Sequence, residues 1–115
     1  MPSNTLPPAR RIRRRGEFQC VFDAGRRAHG RYLTIIAAPA PGPHSRLGIV
    51  ASRKLGGAVV RNRAKRLIRQ VFRTENGPDR ASDLVVIPKP AIFAAPTAEL
   101  LTDYRTILNR LFLSK

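Results

Sequence analysis

The sequence predicts an α+β protein, a two-layer sandwich in which a small central sheet is covered by helices. Three patterns support this fold class: apolar residues at helical spacing, short runs rich in β-branched residues, and breaks rich in Gly and Pro between them. A chain of 115 residues is long enough for one domain with a single modest core. The elements follow in the order α-β-β-α-β-α, with room for one extra short strand.

The chain begins with a polar arm and one short helix. Residues 1–9 include three Pro, and we expect a disordered arm there, followed by a single domain over residues 10–115. The segment Glu17–Ala24 has the spacing of a two-turn helix that ends at Gly25. Its large apolar residues are Phe18, Val21 and Phe22.

Two segments with strand character follow the first helix. Tyr32–Ala38 is rich in β-branched residues, and Arg46–Arg53 has the period-two alternation of a strand. The Pro-rich stretch between them predicts a stiff connection. We therefore expect these two segments to pair with each other as a β-hairpin.

The second half of the chain predicts a helix, a strand and a helix. Gly56 and Gly57 break the chain before a basic helix that ends near Glu75. Leu84–Ile87 is a continuous apolar run, which is typical of a central strand. Thr97 caps a last helix whose core positions are Leu100, Leu101, Tyr104, Ile107, Leu108 and Leu111.

The charge of the chain is large and unevenly placed. The formal net charge is +15, from 22 Lys and Arg against 7 Asp and Glu. No acidic residue lies between Asp23 and Glu75, whereas twelve Lys and Arg do. This charge exceeds what solubility requires, so it indicates that the middle of the chain binds a polyanion.

The basic helix has an apolar side and a cationic side. The apolar stripe consists of Val60, Ala64, Leu67, Ile68 and Val71. The cations form an i, i+4 ladder, flanked by Asn62 and Arg66, that consists of Arg61, Lys65, Arg69 and Arg73. Like charges at this spacing repel by about 0.2–0.5 kcal/mol per pair, so we expect a polyanion to neutralise them. Electrostatics favours nucleic acid without indicating which one.

Few residues in the sequence are suited to catalysis or metal binding. His29 and His44 have no Cys or carboxylate partner near them in the chain, and we expect Cys20 to pack rather than to react. Glu99 and Asp103 are expected to face solvent near the start of the last helix. We therefore predict no catalytic residue, no metal site and no small-molecule substrate for the chain itself.

The sequence also bears on where the protein works. A single cysteine cannot form an internal disulfide, which favours the cytoplasm. No segment has the composition of a signal peptide, and none approaches the ~20 apolar residues of a membrane span. We expect a cytoplasmic protein without a membrane partner.

The segment Leu47–Arg73 resembles the protein subunit of bacterial ribonuclease P. It contains an RNR signature at Arg61–Arg63, followed by a KRxxR element, and Ser52–Lys54 matches the turn after the family's strand. Upstream, Phe18–Gly25 matches the family's F-x-x-V-F-x-x-G helix in spacing. The resemblance covers nearly the whole chain, from about residue 10 to residue 112.

The resemblance implies a function and one unusual feature of the fold. The family assists an RNA enzyme that removes the 5′ leader of precursor tRNA. Its catalytic Mg²⁺ ions are held by the RNA, so the protein alone is expected to bind no cofactor. The resemblance also implies a left-handed βαβ crossover, although such connections are right-handed as a general rule.

Two RNA-binding surfaces follow from the resemblance. The surface for the ribonuclease P RNA comprises Arg53, Lys54, Arg61, Asn62, Arg63, Lys65, Arg66, Arg69 and Arg73. A cleft between the sheet and the first helix receives the single-stranded leader and is lined by Phe18, Phe22, Tyr32 and Ile36. The chain departs from the family at Gly57, where Asn is usual, and at Ile36, where an aromatic residue is common and Tyr32 would substitute.

Two other classes of protein share some of these features. A structural RNA-binding protein of the ribosomal type has a similar size and charge, but it has no need of an aromatic cleft. A DNA-binding regulator usually shows a helix-turn-helix or a dimer seam, and neither is apparent in this sequence. The combination of the aromatic helix with the RNR helix favours an RNA-binding domain of the ribonuclease P protein type.

Overall fold

The computed structural model describes residues 10–75 and 81–112. The predicted arm at residues 1–9 lies outside them, and the assignment of residues 10–115 to one domain stays a prediction. Short 3-10 helices occur at Arg53–Leu55 and Pro90–Ala94. The other elements are α1 (Arg15–Ala24), β1 (Arg26–His29), β2 (Leu33–Pro39), β3 (Arg46–Ile49), α2 (Ala58–Glu75), β4 (Ser82–Pro88) and α3 (Thr97–Phe112).

The four strands form one mixed sheet in the order β1-β2-β4-β3. β2 pairs antiparallel with β1 and with β4, and β3 pairs parallel with β4. The predicted hairpin between Tyr32–Ala38 and Arg46–Arg53 is therefore wrong, because β4 lies between β2 and β3. The hairpin partner of β2 is β1, the extra short strand, whose sequence RRAH has no apolar pattern and marks a polar sheet edge.

The parallel pair requires a crossover. β3 and β4 are adjacent and parallel, and α2 forms the connection between them. This is the βαβ unit that the family resemblance implies to be left-handed, and its hand stays a prediction. A parallel neighbour explains why β4 reads as a continuous apolar run, since both of its faces are covered.

Helices cover both faces of the sheet, which confirms the α+β class with a central sheet under helices. The result is three layers rather than the two that the sequence predicted, because α1 packs on the face opposite α2 and α3. α2 and α3 pack on one face, against side chains such as Ile35, Leu84 and Val86. α1 packs on the other face, where Val21 meets Ile36 and Val85. Alternation along β2 and β4 thus supplies two separate apolar clusters, one for each face.

The two long helices are close to their predicted form. In α3, Leu100, Tyr104, Ile107 and Leu111 are buried, and the remaining two predicted core leucines pack against the cluster while half-buried. In α2 the buried residues are Ala64, Ile68, Val71 and Phe72. The sequence missed Phe72, and Val60, predicted for the stripe, lies in the exposed first turn of α2.

Glu99 is exposed, as predicted, and its Oε1 also accepts a 3.0 Å hydrogen bond from the Tyr32 hydroxyl. Two other predictions about side-chain environment, for Asp103 and Cys20, are wrong: Asp103 is half-buried. The Asp103 carboxylate accepts backbone N–H bonds of 2.8 Å from both Arg31 and Tyr32, so α3 holds the β1–β2 turn. Cys20 is exposed rather than packed, because only one side of α1 contacts the sheet and Cys20 lies on another side.

One ion-pair network connects α1 to the sheet. The Arg46 guanidinium donates to both carboxylate oxygens of Asp83 at 2.8 and 2.6 Å, and to Glu17 Oε2 at 2.7 Å. The Arg46 side chain is 17% exposed and that of Asp83 is 6% exposed. The backbone N–H of Arg14 and then the Arg46 guanidinium lower the pKa of Glu17 to about 2, so the network stays charged at neutral pH.

The buried half of this network predicts a large stability effect. Arg46→Met should lower the free energy of unfolding by about 3–5 kcal/mol, because it leaves the Asp83 carboxylate buried without a partner. As a control, Arg31→Met breaks the exposed 3.5 Å pair with Glu99 and should cost less than about 1 kcal/mol. Urea unfolding compares the two variants, and equal losses would show that the Arg46 network contributes no more than a surface pair.

Candidate nucleic-acid interface

The entry to α2 depends on two glycines. The 3-10 helix Arg53–Leu55 ends at Gly56, whose φ of 142° is a conformation that favours glycine. The next carbonyl, that of Gly57, accepts the first helical hydrogen bond from Arg61 N at 3.0 Å. Gly57 thus occupies the position just before α2, where it provides no side chain to cap the helix. The exposed residues Arg53 and Lys54 lie a few residues earlier.

The predicted cations of α2 lie on three sides of the helix. Arg61, Lys65 and Arg69 are half-buried and flank the core on the side toward α1 and β3. The outward side carries exposed polar and cationic residues, which are Asn62, Arg66 and Arg73. Arg63 lies toward α3, where its guanidinium is 5.8 Å from the centroid of the Phe93 ring. The predicted ladder is therefore a broad cationic surface, and we name these residues with Arg53 and Lys54 the α2 surface.

The basic N-terminal segment runs along β3 and extends the α2 surface. The Ile12 backbone N–H donates to the Leu47 carbonyl at 2.9 Å, and the Ile12 side chain is buried. Arg10 Nε donates to the Ser45 carbonyl at 2.8 Å, and its guanidinium lies over the Phe72 ring. Residues 10–12 are thus docked on the domain. The feature of the sequence that indicates this docking is Ile12, a single apolar residue among arginines.

A basic groove lies where this segment meets α1 and α2. It has a volume of about 270 Å³. Its charged walls come from two elements far apart in sequence, the N-terminal segment and α2, and its other walls come from α1 and β3. The residues that line it are Arg11, Ile12, Arg13, Phe18, Leu47, Gly48, Ile49, Lys65 and Arg69.

Two arginines beside this groove have buried donors. Arg11 Nε and Arg61 Nε are inaccessible to solvent and donate no hydrogen bond to any residue that the structure describes. A buried donor without an acceptor is costly, by about 1–3 kcal/mol for a polar group. An external phosphate would therefore be bound by the terminal amino groups of these side chains rather than by Nε, and its oxygens match the guanidinium geometry.

Phe18 of α1 packs closely against β3 because Gly48 has no side chain. A Cβ at Gly48 would come within 2.6 Å of Phe18 Cε1 and 2.9 Å of Cζ. The Phe18 ring is half-buried and forms a wall of the groove. One edge of the ring thus packs against the sheet while the remainder stays accessible.

The second predicted aromatic and Ile36 lie on the same face of the sheet as Phe18. Phe22 is half-buried, and Ile36 is 1% exposed beneath α1, so Ile36 supports the cleft from below. The same face continues past Ile36 through Thr34 and its cross-strand partners His29 and Ile87. His29 Nδ1 and Thr34 Oγ1 are 2.9 Å apart, so the apolar surface of the sheet under α1 ends at a pair of polar side chains.

The structure places Tyr32 away from this cleft. β2 begins at Leu33, so Tyr32 does not follow the alternation that would align it with Ile36. Its ring is buried in the cluster under α2 and α3, and its hydroxyl donates to Glu99. The prediction that Tyr32 substitutes for a missing cleft aromatic is therefore wrong, because strand periodicity does not extend into the β1–β2 turn.

The ligand chemistry of the α2 surface is that of anion binding. Its side chains are cationic except for Asn62, so they do not fit the oxygen-rich ligand set of Mg²⁺. Residues 10–75 and 81–112 contain no cluster of three or more His, Cys, Asp or Glu side chains suited to a metal ion. No helix in this part of the chain is long and apolar enough to cross a membrane.

Comparison with known proteins identifies the family. The model of the family Ribonuclease P matches residues 6–112. The ribonuclease P protein component of Desulfovibrio desulfuricans is 40% identical, with 92% of this chain and 88% of the relative covered. That of Acidothermus cellulolyticus is 36% identical, with 96% and 94% covered.

Solved structures agree with the sequence relatives. The RNase P protein of Staphylococcus aureus superimposes with a TM-score of 0.77 at 29% identity, covering 90% of this chain and 97% of that one. The RNase P protein of Thermotoga maritima also gives 0.77, at 30% identity, covering 87% and 96%. The chain, with its RNR helix beside a basic groove, belongs to the ribonuclease P protein family.

Proposed function

We propose that this chain is the protein subunit of a ribonuclease P that assists a catalytic RNA in removing the 5′ leader from precursor tRNA. The observation that carries the proposal is the continuity between the α2 surface and the groove walled by Phe18. A phosphate-binding surface and an accessible aromatic ring meet there, as a protein that binds one RNA and the unpaired end of another requires.

The α2 surface supports binding to the ribonuclease P RNA. No acidic side chain lies within α2 before Glu75, so its cations repel one another until a polyanion is bound. Arg11 and Arg61 add buried donors that lack acceptors within the described residues. Phosphate oxygens bound along this surface would neutralise the ladder.

The cleft between α1 and the sheet supports binding to the single-stranded leader. Phe18 and Phe22 are half-buried, so each keeps part of its ring for stacking on an unpaired base. The basic walls of the groove lie beside Phe18 and suit the leader's phosphates. We infer that Phe18, Phe22 and the supporting Ile36 receive the leader.

The proposal assigns the chemistry to the RNA. The side chains of the α2 surface bind and orient phosphates, and they include no carboxylate that would act as a base or hold Mg²⁺. We infer that the RNA holds the catalytic Mg²⁺ and that the protein lowers the amount needed by neutralising phosphates. A precursor tRNA substrate would place the complex in the bacterial cytoplasm.

Reconstitution tests this function directly. The purified chain is mixed with a bacterial ribonuclease P RNA and a leader-bearing precursor tRNA at low Mg²⁺. We expect cleavage at the 5′ end of the mature tRNA when protein and RNA are both present, and none with the protein alone. Tight binding without any stimulation of cleavage would indicate a structural RNA-binding protein instead.

The salt dependence of binding tests the α2 surface. Arg66→Ala and Arg69→Ala should each weaken affinity for the ribonuclease P RNA and reduce the slope of log K against log salt by about one unit for each phosphate that the variant no longer binds. Arg110→Ala removes the same charge from α3, which packs beside β1 at the far edge of the sheet, and should leave the slope unchanged. If all three variants lower the slope equally, net charge and not this surface determines binding.

A comparison of substrates tests the leader cleft. Phe18→Ala should weaken binding of precursor tRNA by about tenfold relative to mature tRNA, because stacking on an unpaired base contributes about 1–3 kcal/mol. Phe18→Leu fills most of the same space and should retain the fold while removing the stack. Affinities of the holoenzyme for both tRNA forms measure the effect, and equal losses on the two would assign Phe18 to core packing.

A further inference from the structure

Arg63 differs from the rest of the α2 surface in two ways. It lies on a different side of the helix, and its guanidinium contacts an aromatic ring. The guanidinium lies over the Phe93 ring, 5.8 Å from its centroid, which is a cation–π arrangement. Arg63 is exposed and makes no hydrogen bond or ion pair to any residue within 10–75 or 81–112. Lys65 and Arg69, which are half-buried, lie on another side of the helix and line the basic groove.

Phe93 is held in place beside this guanidinium. It belongs to the 3-10 helix Pro90–Ala94 between β4 and α3, and it packs half-buried against the main core cluster. Its neighbour Ile92 is 1% exposed and anchors the same turn. The packing thus defines the position of the ring over which the Arg63 guanidinium lies.

We propose that Arg63 stacks on an unpaired nucleobase of the bound RNA and that Phe93 is its positioning residue. The guanidinium lies over the Phe93 ring, and because Arg63 is exposed, the side turned away from the ring is open to a flat, electron-rich partner. Guanidinium planes stack on splayed bases in single-stranded parts of RNA. The inference rests on the proposed function and adds a base-stacking site on the side of α2 away from the leader cleft.

The surroundings favour a nucleobase over a phosphate alone. Asn62 and Arg66 on the outward side already offer contacts to the backbone, whereas Arg63 lies over an aromatic ring. Val59, four residues before Arg63 on the helix, is 83% exposed. An exposed apolar side chain next to a fixed guanidinium suits the sugar and base of one nucleotide better than a hydrated phosphate.

The test uses variants that preserve charge. Phe93→Leu removes the aromatic face and keeps apolar volume, and Arg63→Lys keeps the charge and removes the plane. Each should weaken binding to the ribonuclease P RNA by about threefold to tenfold with an unchanged salt slope. The double variant should lose no more than Arg63→Lys alone, because both act through one stack. Phe112→Leu, an exposed aromatic at the other end of α3, is the matched control and should bind normally.

A nucleotide-resolved measurement separates stacking from a loss of structure. Acylation of RNA 2′-hydroxyls should show an unpaired nucleotide that the native protein protects and that both variants release, while other protections persist. Thermal unfolding of Phe93→Leu checks that the domain is folded at the temperature of the assay. Multiplied losses in the double variant, or an unchanged footprint, would overturn the proposal. Native protein that fails to stimulate cleavage would instead refute the proposed function.

Discussion

The position of α1 on the sheet depends on Arg46, and the groove depends on α1. Arg46 comes from β3 and joins Glu17 of α1 to Asp83 of β4 through short hydrogen bonds. A largely buried guanidinium with two carboxylate partners is specific in direction, so it fixes where the first turn of α1 lies across the strands. Phe18 follows Glu17 in the chain, and its ring therefore meets β3 at Gly48. An apolar contact in place of this network would hold α1 with less directional precision.

Around this anchor the chain concentrates positive charge at the β3 edge of the sheet. The N-terminal segment lies along β3 through the Ile12–Leu47 hydrogen bond, and this brings Arg11 and Arg13 opposite Lys65 and Arg69. The far end of α2 is the exception, since Glu75 forms an ion pair with Arg105 of α3. The fold tolerates the unneutralised charge because β4 and α3 supply an ordinary apolar core on which α2 rests. Binding of a polyanion would then stabilise the folded state by mass action.

The sequence predicted well those elements whose pattern is local. The periods of α2 and α3 and the apolar run of β4 were sufficient, because each element buries one stripe or both faces along its whole length. Strand pairing was not predictable, since β2 would satisfy its backbone equally with β3 or β4 as a neighbour, and the polar sequence of β1 concealed a strand. At the site, the cations of α2 were evident from spacing. The docking of Arg11, the contact of Phe18 with Gly48 and the placement of Tyr32 on the α3 side all depend on residues distant in sequence.

The three sides of α2 differ in chemistry, and each suits a different kind of contact in the proposed complex with RNA. The side next to the core holds half-buried cations whose stems pack while their charged groups reach the groove, which gives them direction. The outward side holds Asn62, Arg66 and Arg73 in water, where long side chains adapt to a backbone at low cost but add little specificity. The third side combines Arg63 with Phe93, so its geometry is set by a segment that follows β4 rather than by the helix itself. Because α2 is also the crossover between β3 and β4, the same connection that completes the sheet brings these sides into fixed relation to the aromatic cleft. The affinity that charge provides and the selectivity that packing provides therefore depend on one structural element.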